Sequence, residues 1–227
     1  MSTEITDFNQ PELYINRELS LLEFNRRVLE QTKDENTPLL ERLRFLCISC
    51  TNLDEFFEVR VASLKQKVQL GSVQAGADNM TPTEVLKAIN HDAQIIVAEQ
   101  YRVLNDVLIP ALDDQGVYFI RRDEWIPEQK KWVYGFFKEE VLPLLSPLGL
   151  DPAHPFPRIL NKSLNFIISL KGKDAFGRNS GMAVVQAPRA LSRLILLPSN
   201  ITKHRNSFVF LSSVIHAFVD ELFPGMK

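Results

Sequence analysis

The sequence predicts an α+β chain in two parts, an all-helical module over residues 1–115 and an α+β head module over residues 116–227. Three observations carry this. Apolar residues recur at helical spacing through the first part. Short runs of β-forming residues, punctuated by Gly and Pro, begin after Gly116. The formal charge also changes sign, from −8 over residues 1–115 to +6 over residues 116–227.

The opening 15 residues are polar and Pro-interrupted and read as an arm, with Leu13, Tyr14 and Ile15 docking onto the body. Ser20 and Glu23 form a Ser-x-x-Glu capping box that opens a first helix. Its apolar face holds Leu21, Phe24 and Val28 with Leu22 and Leu29, Glu23 pairs with Arg27, and it ends near Lys33. Thr37 as N-cap and Pro38 at the first helical position open the second helix, lined by Leu39, Leu43, Leu46, Cys47 and Cys50. A polar break at Ser49-Cys50-Thr51-Asn52 separates it from a third, with Leu53, Phe57, Val61, Leu64 and Val68 inside. That third segment has acids early and bases late, the order the helix dipole favours. Gly71–Asn79 is a loop. Thr81 and Glu84 cap a fourth helix that runs on Leu86, Ile89, Ala93, Ile96, Val103, Val107 and Leu108 to about Leu112.

In the second part, Val117–Ile120 reads as a strand and Pro127–Val141 as a helix. A Pro-rich connector follows, rigid around Asp151–Pro157 and a candidate for a cis bond. Leu164–Leu170, Met182–Gln186 and Leu194–Leu197 read as strands, and Phe208–Phe223 as a closing helix. The chain halts directly after that helix, as a chain cut off before further domains would.

With 45% hydrophobic and 24% charged residues the composition is that of a globular protein with ample material for a core. No secretory signal opens the chain, and no apolar run is long enough to span a bilayer. The expectation is a soluble cytoplasmic protein, with at most peripheral attachment to a membrane. Two cysteines make neither a disulfide framework nor a four-thiolate zinc site. Nine bases and one acid lie between Arg158 and Arg205. Both an anionic partner and a solvated face accommodate that asymmetry.

Neither a P-loop nor a dinucleotide fingerprint is present. Cys47-Ile-Ser-Cys50 is a formal CxxC, but on an apolar helical face with no βαβ context it reads as core packing. His91, His154, His204 and His216 stand without partners at ligand spacing. Asn52 is the residue with two readings. It serves either as a helix N-cap, boxed with Glu55, or, if Thr51 caps with Asp54, as a free amide. Such an amide offers donor and acceptor together and matches the mixed edge of adenine.

Three stretches, Leu13–Ser20 (LYINRELS), Leu22–Leu29 (LEFNRRVL) and Asn52–Arg60 (NLDEFFEVR), resemble the N-terminal domain of bacterial polyphosphate kinase, the class with phospholipase-D-like catalytic domains. Asp151–Pro157 (DPAHPFP), Ser163–Asn165 (SLN) and Ala183–Pro188 (AVVQAP) resemble its head domain. Leu21-Leu22 departs from the pattern, since many members carry a tryptophan there. The resemblance implies reversible transfer of the terminal phosphate of ATP to polyphosphate, with magnesium and through a phosphohistidine. It makes Asn52 an ATP contact and puts homodimer contacts in the head domain. It also puts the phosphorylated histidine and the metal site in domains that this chain lacks, so the piece alone is expected to be inactive, with ATP, ADP and polyphosphate as ligands of the whole enzyme and no nucleic-acid partner. The other expectation is that the chain is a non-catalytic helical interaction or dimerisation module.

Overall fold

A computed structural model describes residues 10–151, 154–172 and 181–225. The first nine residues of the expected arm, Pro152 and Ala153 of the Pro-rich turn, and Lys173, Asp174 and Arg178 of the basic stretch lie outside them. The chain separates into two compact units, Met1–Leu112 and Asp113–Lys227.

The first unit is helical. Helix α1 spans Arg17–Glu30 and starts three residues before the expected Ser20. Its cap is Asn16, whose Oδ1 accepts from the Glu18 and Leu19 amides at 3.0 and 3.1 Å. Asn16 has this cap geometry because it is extended (ψ 125°), leaving Ser20 one turn inside the helix. The buried side of α1 is Leu22, Asn25 and Leu29. The other half of the expected apolar face, Leu21 and Phe24, is 38% and 50% exposed. Glu23 pairs with Arg26 at 3.1 Å, while Arg27 lies 5.9 Å from the Phe24 ring centre instead. Leu13, Tyr14 and Ile15 are exposed as well, at 50%, 43% and 83%.

Helix α2 spans Leu39–Phe56, with Pro38 as its uncapped start in place of Thr37. The expected break at Ser49–Asn52 is absent. The helix runs unbroken through it, one π-helical turn covers Phe57–Val61, and α3 continues over Ala62–Gln69. The polar side chains do not interrupt the helix because each finds a partner without disturbing the ladder. Thr51 Oγ1 donates back to the Cys47 carbonyl at 3.0 Å, and Ser49 turns inward to neighbouring helices. With Leu46, Ser49 and Leu53 inside, Cys47 and Cys50 fall outside that phase and are solvent-exposed, so the CxxC is not core packing. Phe56, 7% exposed, is the next inner residue after Leu53 and leaves Phe57 40% exposed; the π turn that follows widens the step to the next inner residue, Val61, to five.

Helix α4 spans Pro82–Val103 behind the Thr81–Glu84 capping box, which is present in full. Lys33 lies 2.7 Å from both Glu30 and Glu99 and ties the end of α1 to α4. A second π turn, Leu104–Leu108, leads into α5, Ile109–Asp114. The wider turn lies just ahead of Pro110, which has no amide hydrogen to give to the carbonyl four residues back. The core joins Leu22, Leu29, Leu46, Leu53, Phe56, Val61, Ile89, Ile96 and Val103.

The second unit holds two three-stranded sheets. Strand β1 is Val117–Phe119, and α6 covers Pro127–Phe136 with a π turn to Val141. Then come β2 (Leu148–Leu150), β3 (Asn165–Ser169), β4 (Met182–Gln186), β5 (Leu194–Leu196), β6 (Asn206–Phe210) and α7 (Leu211–Ala217). One sheet has the order β1-β6-β5, with β1 parallel to β6; the other, β2-β4-β3, is antiparallel. The expected helix Phe208–Phe223 is therefore a strand, then the short α7, then a 3₁₀ turn at Val219–Leu222. Strand β2 fits between Pro147 and Pro152 because it is an edge of three residues. No peptide bond among the described residues is cis. Val133, Phe137 and Val141 pack with Val185, Ile195, Val209 and Ile215 in the core of this unit. No helix among the described residues is long and apolar enough to cross a membrane.

Candidate functional site

Asn52 sits near the C-terminal end of α2, at the edge of a hollow of about 290 Å³ between α1 and α2 with its π turn. Helical repeat explains why these side chains converge. Asn52, Phe56, Val59 and Arg60 fall on one side of the α2 rod, and Leu21, Phe24 and Asn25 on one side of α1. The walls are mainly apolar, with Phe24 and Val59 about half exposed at 50% and 56%. Arg60 and Glu55 bring opposite charges to the lining, and Arg60 forms no ion pair with a described residue.

The Asn52 amide is held from behind. Its Nδ2 donates to Asn25 Oδ1 at 3.4 Å, and Asn25 Nδ2 donates to the Ser49 carbonyl at 3.0 Å. Ser49 Oγ in turn accepts from Gln100 Nε2 of α4 at 2.9 Å. Asn25, Ser49 and Gln100 are 4%, 0% and 6% exposed, so this is a buried polar chain with its links satisfied. The Asn52 Oδ1 accepts from no described residue. Asn52 is thus neither of the capping alternatives but a mid-helix amide with an available acceptor. Sequence reasoning singled out Asn52 but not its partner Asn25, whose signal was a polar residue between Leu22 and Leu29 on the buried side of a helix.

A larger hollow, about 520 Å³, adjoins the start of α1, where Asn16 Nδ2 donates to Asp78 Oδ2 at 2.6 Å and Arg17 pairs with Glu18 at 3.1 Å. Cys50 borders a separate hollow with Asp54 and Tyr101; though the residue is exposed, partial burial of its thiol, with Cys47 and Asp54 beside it, pushes it above the usual range, away from a reactive thiolate. His154 is 3.3 Å from Asp151, His204 stacks on Tyr118, His216 meets Arg122, and His91 is exposed. None of the four lines the Asn52 hollow. Among the described residues no cluster of three or more His, Cys, Asp or Glu side chains is placed to hold a metal ion.

Two family models match the chain: the polyphosphate kinase N-terminal domain over residues 14–120 and the polyphosphate kinase middle domain over residues 128–227. A polyphosphate kinase of Pseudomonas putida is 52% identical over 98% of the chain. One of Neisseria meningitidis is 54% identical over 93% of it. The chain spans about 31% of the length of either relative. Among solved structures, the crystal structure of polyphosphate kinase from Porphyromonas gingivalis is similar with a TM-score of 0.79 at 29% identity, over 94% of this chain and 31% of that one.

Proposed function

Because the chain belongs to the polyphosphate kinase family, we propose that it supplies the nucleobase contact of an enzyme that reversibly transfers the terminal phosphate of ATP to polyphosphate. The observation that carries the proposal is the Asn52 amide, anchored from behind by Asn25 and facing a partly apolar hollow with an available acceptor. Apolar walls accept a flat base, Oδ1 accepts from an exocyclic amino group, and Arg60 offers charge to a phosphate. The hollow contributes binding and orientation only. It contains no histidine to carry a phosphoryl group, and the described residues do not fit a magnesium site. Both are expected, by the resemblance, in the lengths of the relatives that this chain does not span.

A base contact distant from the transferred phosphate acts on ground state and transition state alike and so moves KM more than kcat. In an enzyme carrying this segment, Asn52→Ala should raise KM for ATP about tenfold at nearly constant kcat, the loss of one hydrogen bond in a half-open site. Unchanged ATP kinetics with the fold retained would reject the contact.

A second reading concerns self-association. Across the second sheet, Leu148, Val184 and Ile167 stand in one row, and the outer two side chains are 51% and 63% exposed. Exposed apolar side chains in such a row suit a homodimer contact in the second unit. Sedimentation of the wild-type chain and Ile167→Glu tests it: a dimer lost in the variant supports the reading, and a monomer in both rejects it for this chain.

A further inference from the structure

We propose that Asn25 fixes which way round the Asn52 amide faces its ligand, and that the hollow therefore selects a purine with a 6-amino group over one with a 6-oxo group. This rests on the reading of Asn52 as a nucleobase contact.

The polarity is set by a group that cannot be reversed. The Ser49 main-chain carbonyl only accepts, so the end of the Asn25 side chain that lies 3.0 Å from it must be the nitrogen. Turning Asn25 over would face two oxygens in a position only 4% exposed, where no water relieves them. Asn25 Oδ1 is thereby aimed at Asn52, which must answer with Nδ2, 3.4 Å away. The Asn52 Oδ1 is then the end left for the ligand. Ser49 cannot shift to relax the constraint, because Gln100 of the neighbouring α4 holds its hydroxyl at 2.9 Å. Three helices together decide the direction of one amide.

An amide free to turn is a poor discriminator, since its two ends exchange donor for acceptor and either purine is satisfied. A locked amide is not. At position 6 adenine places an amino donor and guanine or hypoxanthine a carbonyl acceptor. Against a fixed Oδ1 the amino group forms a hydrogen bond and the carbonyl meets a like dipole. Asn25 is thus a positioning residue that never touches the nucleotide base edge it selects.

The test compares binding of ATP, purine riboside triphosphate, which lacks the 6-amino group, and inosine triphosphate, which has a 6-oxo group, to the 227-residue chain by amide NMR titration. The wild type should rank them in that order, with ATP about tenfold tighter than inosine triphosphate. In Asn25→Leu, similar in volume and unable to hold the amide, ATP and inosine triphosphate should bind within about threefold of each other. In Asn52→Ala all three should converge on the affinity of purine riboside triphosphate. If Asn52→Ala leaves ATP binding unchanged, or the wild type binds no nucleotide at millimolar concentration, the nucleobase reading itself fails. If Asn52→Ala weakens ATP but Asn25→Leu keeps the wild-type preference, the locking role alone is overturned. Should Asn25→Leu not fold, the wild-type ranking decides: inosine triphosphate bound as well as ATP contradicts a fixed amide.

Discussion

At the scale of single residues, the first unit is held together by polar side chains that a composition count would place on its surface. Gln100 is one of them. Replacing it by Ala leaves the buried Ser49 hydroxyl without its donor and opens space between α2 and α4. Urea unfolding should show a loss of about 1–3 kcal/mol, well beyond what an exposed glutamine costs. Glu99 makes a second case. Hydrogen bonds from Arg102 and Lys33 lower its pKa from 4.5 to about 2. A carboxylate whose pKa falls on folding stabilises fully above its unfolded value near 4.5 and loses that contribution as the pH drops through about 2. Arg102 is half exposed, so solvent screens the pair and about 1 kcal/mol is the expected size. Glu99→Gln should therefore be less stable than wild type by that amount at pH 7, with the gap closing below about pH 4. A gap that persisted to pH 2 would mean that packing, not charge, is responsible. Asn52 was singled out from the sequence as a candidate; the bonds that orient its amide were not legible there, because the residues that make them lie 27 and more positions away or belong to the main chain.

At the scale of elements, periodicity identified the helices and missed their phase. Helical spacing lets Leu53 be followed inside by Phe56 or Phe57; Phe56 is the buried one, and the π turn after it widens the step to Val61 to five residues. Nothing local in the sequence marks that turn; it is chosen because it lets Val61 and Leu64 remain buried further along. The choice has a simple consequence for stability. Phe56→Ala should cost about 3–5 kcal/mol and Phe57→Ala under about 1, measured by thermal or denaturant unfolding. Equal losses, or the reverse order, would contradict the burial of Phe56 in place of Phe57. Strands show the same limit. Strand β6 was hidden because Phe208, Val209 and Phe210 run directly into the helical pattern of Leu211–Ile215. Its partners β1 and β5 are what make it a strand. The Thr81–Glu84 box, by contrast, is a local device complete within four residues, and local devices are what a single sequence displays most clearly.

At the scale of the whole molecule, each unit has its own buried core, one of helices and one of two small sheets with helices. We propose that residues 1–115 and 116–227 are domains in the strict sense, able to fold apart. The 1–115 segment expressed by itself should give a helical circular dichroism spectrum and a cooperative melt. A spectrum without cooperative unfolding would show that the units depend on each other. The sign change of charge between residues 1–115 and 116–227 and the onset of β-forming residues after Gly116 are the sequence features that suggest this division. The hollow beside Asn52, by contrast, needs only the first unit, since all the residues that line it lie between Leu21 and Arg60. That makes the central claim open to a direct measurement: amide chemical shifts of the 227-residue chain titrated with ATP. The account predicts changes centred on Phe24, Asn25, Asn52, Val59 and Arg60, with the Asn25 and Asn52 side-chain amides among them. Changes centred instead on the hollow near Asn16 and Lys67, or no change at millimolar ATP, would contradict it.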